Sequence, residues 1–281
     1  MQRFLRSTLA IASLATACGT ALASTLPITV EAGQPIAGPG YGSATPFEAR
    51  IDYQASEVLT STLSLISGGS SGIQPAEVVS TGYPFFIESM AMSAPYTRMG
   101  ARLDEASGAA PLTYASFAGG MQITAAGRLP NGKRNPTTTG GSLTLTNFTV
   151  SFDTRTVYAD LTGANGVGTR SKMLLWNYSS ITETPAFHFS YCPLSPQEPC
   201  TVSMRPTTLS GLTTTWEAQE LISTSLGLTN FGKTAWAGID DYGSLTISAV
   251  PEAGAGWLSV AGLLVLAGLK RRAKAAAPAR S

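Results

Sequence analysis

The stretch SLTLTNFTV, at residues 142–150, alternates apolar side chains with small polar ones. Alternation with a period of two indicates a β-strand that buries one face and leaves the other in water. Similar runs, set apart by glycine, proline or asparagine, are RTVYADL at 155–161, KMLLWNY at 172–178, PAFHFSY at 185–191 and GSLTISAV at 243–250. Short strands with frequent turns are typical of antiparallel sandwiches. We therefore expect an all-β fold, an antiparallel β-sandwich.

One short helix is expected beside the strands. Thr214 and Glu217 have the spacing of a capping box, apolar residues follow at helical spacing, and Gly227 is a suitable stop. A weaker second helix at residues 75–80 is an alternative that the pattern leaves open. Tight turns are expected at Asn131-Gly132 and Asn165-Gly166.

The composition is typical of an exported β protein rather than a disordered or nucleic-acid-binding one. Charged residues make up 12% of the 281 residues, whereas 43% are hydrophobic. The net charge of +1 combines two basic ends with a body that is net acidic. Because no extended basic patch lies outside the ends, a nucleic-acid partner is not expected.

The first 23 residues have the order of a secretory signal peptide. A basic start precedes an apolar run at 9–17, and Ala21 and Ala23 form a small-x-small site ahead of Ser24. Signal peptidase cuts after such a site, so we expect the export machinery and signal peptidase to act on this chain. A faint lipoprotein box that ends at Cys18 leaves lipidation as an alternative.

Residues 253–269 form an uncharged, mostly apolar run near the end of the chain. At about 1.5 Å per residue the run reaches roughly 25 Å, the short limit for crossing a bilayer. Pro251 discourages a helix from continuing upstream. The basic residues that follow are expected to stay in the cytoplasm. Together with an exported start, this predicts a transmembrane helix in the inner membrane and a body outside it.

The end of the chain resembles the PEP-CTERM sorting signal of Gram-negative bacteria. A proline–glutamate pair, an apolar span and a basic cluster carry the resemblance, through Val250, Pro251, Glu252, Ala253, Lys270, Arg271 and Arg272. The family usually has a second proline where this chain has Ala253. The resemblance implies recognition by an exosortase, a membrane-embedded cysteine protease, in a host that makes exopolysaccharide. It covers only residues 250–281 and implies nothing about the fold of the body.

Two cysteines remain once the signal peptide is removed, Cys192 and Cys200. Exported proteins meet oxidising conditions, so we expect a disulfide that closes a short, proline-rich loop. A zinc site is the rival interpretation, but the two cysteines lack partners because the chain has one histidine. No metal is therefore expected.

One motif resembles the active site of serine hydrolases. Residues 68–72 match the G-x-S-x-G nucleophile elbow, with Ser70 as the nucleophile and His188 as the base. The elbow needs a strand before it, for which residues 63–66 are the candidate, and a helix directly after it. Pro75 disfavours that helix, so a Gly/Ser turn is the preferred interpretation.

Other residues hold candidate binding chemistry. His188, with Tyr191 or Tyr178, could ligate haem, although a lone solvent-facing histidine is commoner. Asp240 and Asp241 lie between glycines and could bind calcium together with backbone carbonyls, or could be solvated turn acids. The aromatic residues could form a sugar-stacking face or pack in the core; they are Trp176, Trp216, Trp236, Tyr83, Phe85 and Phe86.

The chain is thus expected to contain a signal peptide at 1–23, an exported body at 24–249 and a sorting signal at 250–281. A subdivision of the body near 128–141 is left open. We assign no catalytic residue and expect no cofactor. The expected function is structural or adhesive, at the cell surface or in an extracellular matrix, with exopolysaccharide as a candidate partner. The alternatives are a carbohydrate- or haem-binding module and, less favoured, a secreted hydrolase.

Overall fold

The computed structural model describes residues 25–34, 48–67, 73–76, 91–104, 109–190 and 201–250. These residues form thirteen strands and three helices. The strands are β1 Thr25–Glu31, β2 Ala49–Gln54, β3 Ile73–Ala76, β4 Ala91–Asp104, β5 Ala109–Phe117, β6 Gly120–Ala125, β7 Gly141–Ser151, β8 Thr156–Gly163, β9 Gly168–Ile181, β10 Ala186–Ser190, β11 Thr201–Met204, β12 Thr207–Thr214 and β13 Ser244–Ala249. The helices are α1 Glu57–Ser67, α2 Trp216–Ser225 and α3 Asn230–Ala237.

The strands form one antiparallel sheet that closes on itself. Its order is β11-β10-β5-β4-β2-β13-β12-β9-β8-β7-β6-β3, and β1 pairs with β4. An additional pairing between β5 and β7 joins the strands from β5 through β2, β13, β9 and β8 to β7 into a hydrogen-bonded ring. The antiparallel all-β prediction is confirmed, and the layers expected of a sandwich are joined in one continuous sheet.

Strand β7, which holds the stretch at 142–150, shows how the ring bends. Leu143 and Leu145 are buried, and so are Phe148 and Val150, so the buried face changes from odd to even numbers at Asn147. Asn147 has a φ of 54°, and the register with β8 shifts between Thr146 and Thr149. Such a bulge adds a residue and increases the local bend. Before it β7 pairs with β6, and after it with β5.

The Asp160 carboxylate on β8 accepts hydrogen bonds from two residues with positive φ, one on each neighbouring strand. Asp160 of β8 accepts a hydrogen bond from the Asn147 side-chain amide at 2.8 Å and one from the Lys172 backbone N–H at 2.7 Å. Lys172 of β9, like Asn147, is left-handed, with a φ of 50°. Hydrogen bonds to a charged group contribute more than neutral ones. Asp160 therefore stabilises both bends that close this side of the ring.

The interior of the ring contains a stack of three aromatic rings. Trp176 lies between Tyr53 and Phe148, with ring centroids 5.4 and 6.0 Å away and planes tilted by 13° and 15°. Tyr53 donates its hydroxyl to the Tyr242 carbonyl oxygen at 2.6 Å, and the Tyr242 ring meets Trp236 edge-on. All five side chains are buried. This cluster links strands from opposite parts of the ring.

The buried tyrosines predict a loss of stability in alkali. Burial raises the pKa of Tyr242 to about 12, against a hydrogen bond from Thr214 that lowers it, and burial raises the pKa of Tyr53 well above its ordinary range. Both hydroxyls bind their protons more tightly in the folded chain, so their contribution is complete below pH 10 and is lost above it. We expect the free energy of unfolding to fall between pH 10 and 12, by up to about 1.4 kcal/mol per pH unit for each tyrosine.

Urea denaturation of the protein at several pH values would measure this loss. Tyr242→Phe should make the decline shallower, because that position no longer titrates. Stability that stays constant from pH 9 to pH 12 would contradict the predicted burial of these hydroxyls.

The three helices and the loop at residues 126–140 form one layer on the sheet, the helical cap. Helix α3 contacts both α1 and α2, while α2 contacts β7, β8 and β9. In the loop, the Asn135 side-chain amide donates to the carbonyl oxygens of Leu65 and Ile66 at 3.2 and 3.3 Å. The Thr229 backbone N–H donates to the Thr137 carbonyl oxygen at 3.0 Å. The loop therefore ties the end of α1 to the start of α3.

The helix predictions are confirmed in one case and wrong in others. A helix does begin near Thr214, but Thr215 caps it by accepting from the Ala218 backbone N–H at 3.2 Å. Gly227, with a φ of 59°, follows its last turn as expected. The one-helix prediction is wrong because α1 and α3 also form. The weaker helix at 75–80 is wrong at its start, since Pro75 lies in strand β3.

Both predicted glycine turns are confirmed, and the segment considered as a boundary connects two paired strands. Gly132 and Gly166 have φ values of 79° and 83°, as tight turns at these positions require. The polar segment 128–141, considered as a boundary, joins β6 to β7, and these two strands pair with each other. Within the described ranges no helix combines the length and the apolar character that a membrane span needs.

Candidate functional site

Most of the predicted processing residues lie outside the described part of the chain. This holds for the signal peptide with Ala21, Ala23 and Ser24, and for the sorting signal from Pro251 onward. Cys192 and Cys200, the predicted disulfide, also lie outside it, as do Ser70, Tyr191, Tyr83, Phe85 and Phe86. Val250 is described, and its backbone N–H donates to the Glu48 carbonyl oxygen at 2.9 Å.

The structure separates the three tryptophans that the sequence grouped as a sugar-stacking face. Trp176 and Trp236 are buried in the aromatic cluster, whereas Trp216 is 78% exposed at the start of α2. For Trp176 and Trp236 the alternative interpretation, packing in the core, is therefore the one that holds: Trp176 is stacked between Tyr53 and Phe148, and Trp236 of α3 packs against Tyr242. Trp216 alone remains available to a partner.

Of the residues considered for haem binding, the structure describes His188 and Tyr178 and does not bring them together, while Tyr191 lies outside the described residues. His188 is exposed on β10, between its neighbours Ala109 and Ser203. Tyr178 is buried on β9, and its hydroxyl donates to the Ser151 carbonyl oxygen at 3.2 Å. Since β9 and β10 are not neighbours in the sheet, a His188–Tyr178 ligand pair does not form.

The hydrolase interpretation loses its structural context. Residues 63–66, the candidate strand before the nucleophile elbow, lie within helix α1, and the strand β3 follows the motif. The elbow requires the opposite order, strand before and helix after. Residues 68–72 themselves lie outside the described part of the chain.

The acidic pair Asp240-Asp241 lies in an irregular segment between α3 and β13. The Asp241 carboxylate accepts a hydrogen bond from the Gly243 backbone N–H at 2.9 Å, which supports the turn interpretation. Among the described residues, no group of three or more His, Cys, Asp or Glu side chains could hold a metal ion. The Asp241 carboxylate thus stabilises the turn that leads into β13.

The helical cap presents apolar side chains to solvent. Four large apolar side chains are exposed among the described residues, and all of them lie on the three helices: Val58, Leu65, Trp216 and Phe231. We call these four residues the cap surface. The Thr215 hydroxyl fixes the start of α2 by donating to the Leu174 carbonyl oxygen at 3.0 Å. The Thr229 hydroxyl likewise anchors α3 by donating to the Pro136 carbonyl oxygen.

A second surface lies on the outer side of β4 and β5. Along β4, the Arg98 and Arg102 side chains are exposed on the outer side and Met99 and Ala101 are buried inside, while Gly100 lies between the two arginines and is itself covered. The half-buried Tyr114 of β5 covers Gly100: a Cβ added to this glycine would lie 2.7 Å from Tyr114 Cδ1 and 2.9 Å from Cζ. Only glycine therefore lets the ring lie against the sheet. We call this surface the Tyr114 face.

Two ion pairs border the Tyr114 face. Arg98 Nη2 lies 3.6 Å from Glu31 Oε1 of β1, and Arg102 Nη2 lies 3.3 Å from Asp153 Oδ2 in the β7–β8 turn. All four side chains are about half exposed or more. Sequence reasoning missed this surface. Its signal was RMGAR at 98–102, an outward glycine between two outward arginines on an alternating strand.

Comparison with known proteins supplies little for this chain. No family model matches it, and no curated protein matches it. Among solved structures, it is similar to the crystal structure of the haem-binding protein HtaB from Corynebacterium glutamicum. The two share 14% sequence identity with a TM-score of 0.34, over 81% of this chain and 98% of that one. A likeness at this level supports no inference about function.

Proposed function

We propose that this protein is an exported structural or adhesive component of the cell surface or extracellular matrix. In this proposal an inner-membrane span at 253–269 holds the chain for a time, and an exosortase then processes the PEP-CTERM-like signal. The order of charged, apolar and small residues at the two ends supports export and sorting. Release or renewed attachment of the body to the surface would follow.

The observation that carries an adhesive function is the cap surface. Exposed large apolar side chains that are concentrated on one part of a surface are candidate contacts for a partner. Here all four that are exposed among the described residues lie on one layer of three helices, and Trp216 and Phe231 are 78% and 63% exposed. Aromatic residues on a rigid support are common contact points in interfaces. The closed sheet beneath supplies such a support.

Sorting is tested by mass spectrometry of the mature protein in its host. We expect a form that begins at Ser24 and ends near Pro251–Glu252, and a longer form that keeps the C-terminal segment when the exosortase is deleted. Intact chain in the cytosol, or an identical C-terminus in both strains, would contradict the proposal.

Adhesion is tested with the double variant Trp216→Ser and Phe231→Ser. Both side chains are mostly exposed, so the free energy of unfolding should change by less than about 0.5 kcal/mol for each. We expect cells with this variant to lose most of the aggregation that the native protein supports. Lys233→Ser, also exposed on α3, is the matched control and should leave aggregation unchanged. Equal aggregation with the double variant would exclude the cap surface as the adhesive site.

A further inference from the structure

The Tyr114 face combines an aromatic floor with a polar border. The Tyr114 ring lies against Gly100 at the level of the sheet rather than standing away from it. Outward hydroxyl groups lie beside it, because Ser116 pairs with Arg98 and its hydroxyl is 3.0 Å from that of Thr149. Across the opposite edge, Thr29 of β1 pairs with Gly100. The floor is thus enclosed by hydrogen-bonding groups on both flanking strands.

The two ion pairs at this face carry no net charge. Each arginine faces one carboxylate, Glu31 for Arg98 and Asp153 for Arg102. Every one of these planar side chains keeps at least 49% of its surface exposed. They therefore retain free donors and acceptors, although the local net charge of the four groups is zero. A balanced border attracts neither phosphate nor a polyanion.

We propose that the Tyr114 face binds polysaccharide, with a pyranose ring stacked on Tyr114 and its hydroxyls bonded to the arginine–carboxylate pairs. The C–H groups of a sugar carry small positive charges that suit the negative face of an aromatic ring. Sugar hydroxyls both donate and accept, so they need donors and acceptors side by side, as arginine and carboxylate groups provide. Arg98 and Arg102 are four residues apart on β4, about 13 Å, which leaves room for more than one sugar ring.

This inference names the chemical class of a partner for the proposed matrix protein, but it does not depend on the sorting signal. The binding test uses the purified full chain, and the sorting test uses the C-terminus of the protein in its host. A chain that binds polysaccharide but stays unprocessed would refute sorting alone. A processed chain that binds none would refute this inference alone.

The experiment is affinity electrophoresis of the full chain in gels that contain glucomannan, a neutral polysaccharide, or alginate, an acidic one. A polyoxyethylene detergent is used, because a detergent with a sugar head group would compete. We expect glucomannan to retard the native chain. Retardation should change little between about 0.1 and 1 M NaCl, a range in which the Debye length falls from ~10 to ~3 Å.

Variants of the floor test whether the retardation arises at this face. Tyr114→Ala should weaken binding at least about tenfold, equivalent to about 1.4 kcal/mol. Tyr114→Phe keeps the ring and should stay within about threefold of the native chain. Lys233→Ser, exposed on α3 and outside both the cap surface and the Tyr114 face, is the control and should bind like the native chain. Gly100→Ala should also weaken binding, because the added Cβ displaces the Tyr114 ring while the ring itself and the bordering ion pairs are still present.

Folding is monitored in parallel by thermal melting. If Tyr114→Ala fails to fold, Arg102→Gln replaces it, since that side chain is 60% exposed and its loss should still weaken binding. The proposal is overturned by three outcomes: no retardation by glucomannan, equal retardation of the native chain and of folded Tyr114→Ala or its replacement Arg102→Gln, or retardation by alginate alone that disappears in salt.

Discussion

Trp176→Ala is expected to remove about 3–5 kcal/mol from the free energy of unfolding, a large part of the stability of a domain. The side chain is 3% exposed and lies between the rings of Tyr53 and Phe148. Its removal leaves a cavity at the centre of the ring of strands, and the stacked neighbours cannot both collapse into it. Urea denaturation followed by circular dichroism would measure the loss.

Two further variants show how much of this loss in the free energy of unfolding comes from the buried position of Trp176 and how much from its indole ring. Trp216→Ala, at the exposed tryptophan, should change stability by less than about 0.5 kcal/mol. Trp176→Phe should cost well under half as much as Trp176→Ala, because a ring remains in the stack. It also removes the Trp176 Nε1 donor, which is buried without a hydrogen-bond acceptor among the described residues. Equal losses for Trp176→Ala and Trp216→Ala would contradict the central stack.

Gly243→Ala is expected to cost about 3 kcal/mol or more. Gly243 lies just before β13 with a φ of 114°, a conformation that side chains other than glycine rarely adopt. A Cβ there would clash with the Gln54 carbonyl oxygen and lie 2.9 Å from the Ala55 Cα. Both are backbone atoms at the end of β2, so relief would require the β2–β13 pairing to shift. Strain of about 1–2 kcal/mol and overpacking of about 1–3 kcal/mol add here.

Gly132→Ala is the matched control for this prediction. Gly132 also has a positive φ, 79°, but an added Cβ would meet nothing within 4 Å. Its replacement should cost only the conformational strain, about 1–2 kcal/mol. The difference between the two variants isolates the backbone contact. If both lose the same stability, the close approach of Gly243 to β2 is wrong.

Several elements could be predicted because their signals are local. The alternation at 142–150, the runs that became β8, β9, β10 and β13, and the glycine turns at 132 and 166 all reflect steric preferences within a few residues. Helix α1 was missed although Leu59, Leu63 and Ile66 have helical spacing, because its serines and threonines resemble those of the strands. Ser56 supplied a further signal, since its hydroxyl accepts from the Leu59 backbone N–H at 3.1 Å.

Helix α3 could not be predicted in the same way. It is eight residues long and contains Gly232, a poor helix former. A Cβ at this glycine would overlap the Thr137 carbonyl oxygen, so the residue serves the close packing of helix and loop. Thr229 is the N-cap residue of α3, and its hydroxyl donates a hydrogen bond to the Pro136 carbonyl oxygen, which lies in a segment distant along the chain. Contacts between distant segments decide this element.

Local signals predict the class of fold, the positions of five of the thirteen described strands and the signals proposed at the two ends of the chain, because each depends on neighbours along the chain. Three features depend on contacts between distant segments: β5 meets β7 to close the ring, Trp176 and Trp236 are buried while Trp216 is exposed, and Tyr114 lies over Gly100. The partner of a strand can change at a bend of one residue, as at Asn147, before which β7 pairs with β6 and after which it pairs with β5. The face on which an aromatic ring lies follows from that pairing, and alternation alone does not distinguish the inside of a closed sheet from the outside.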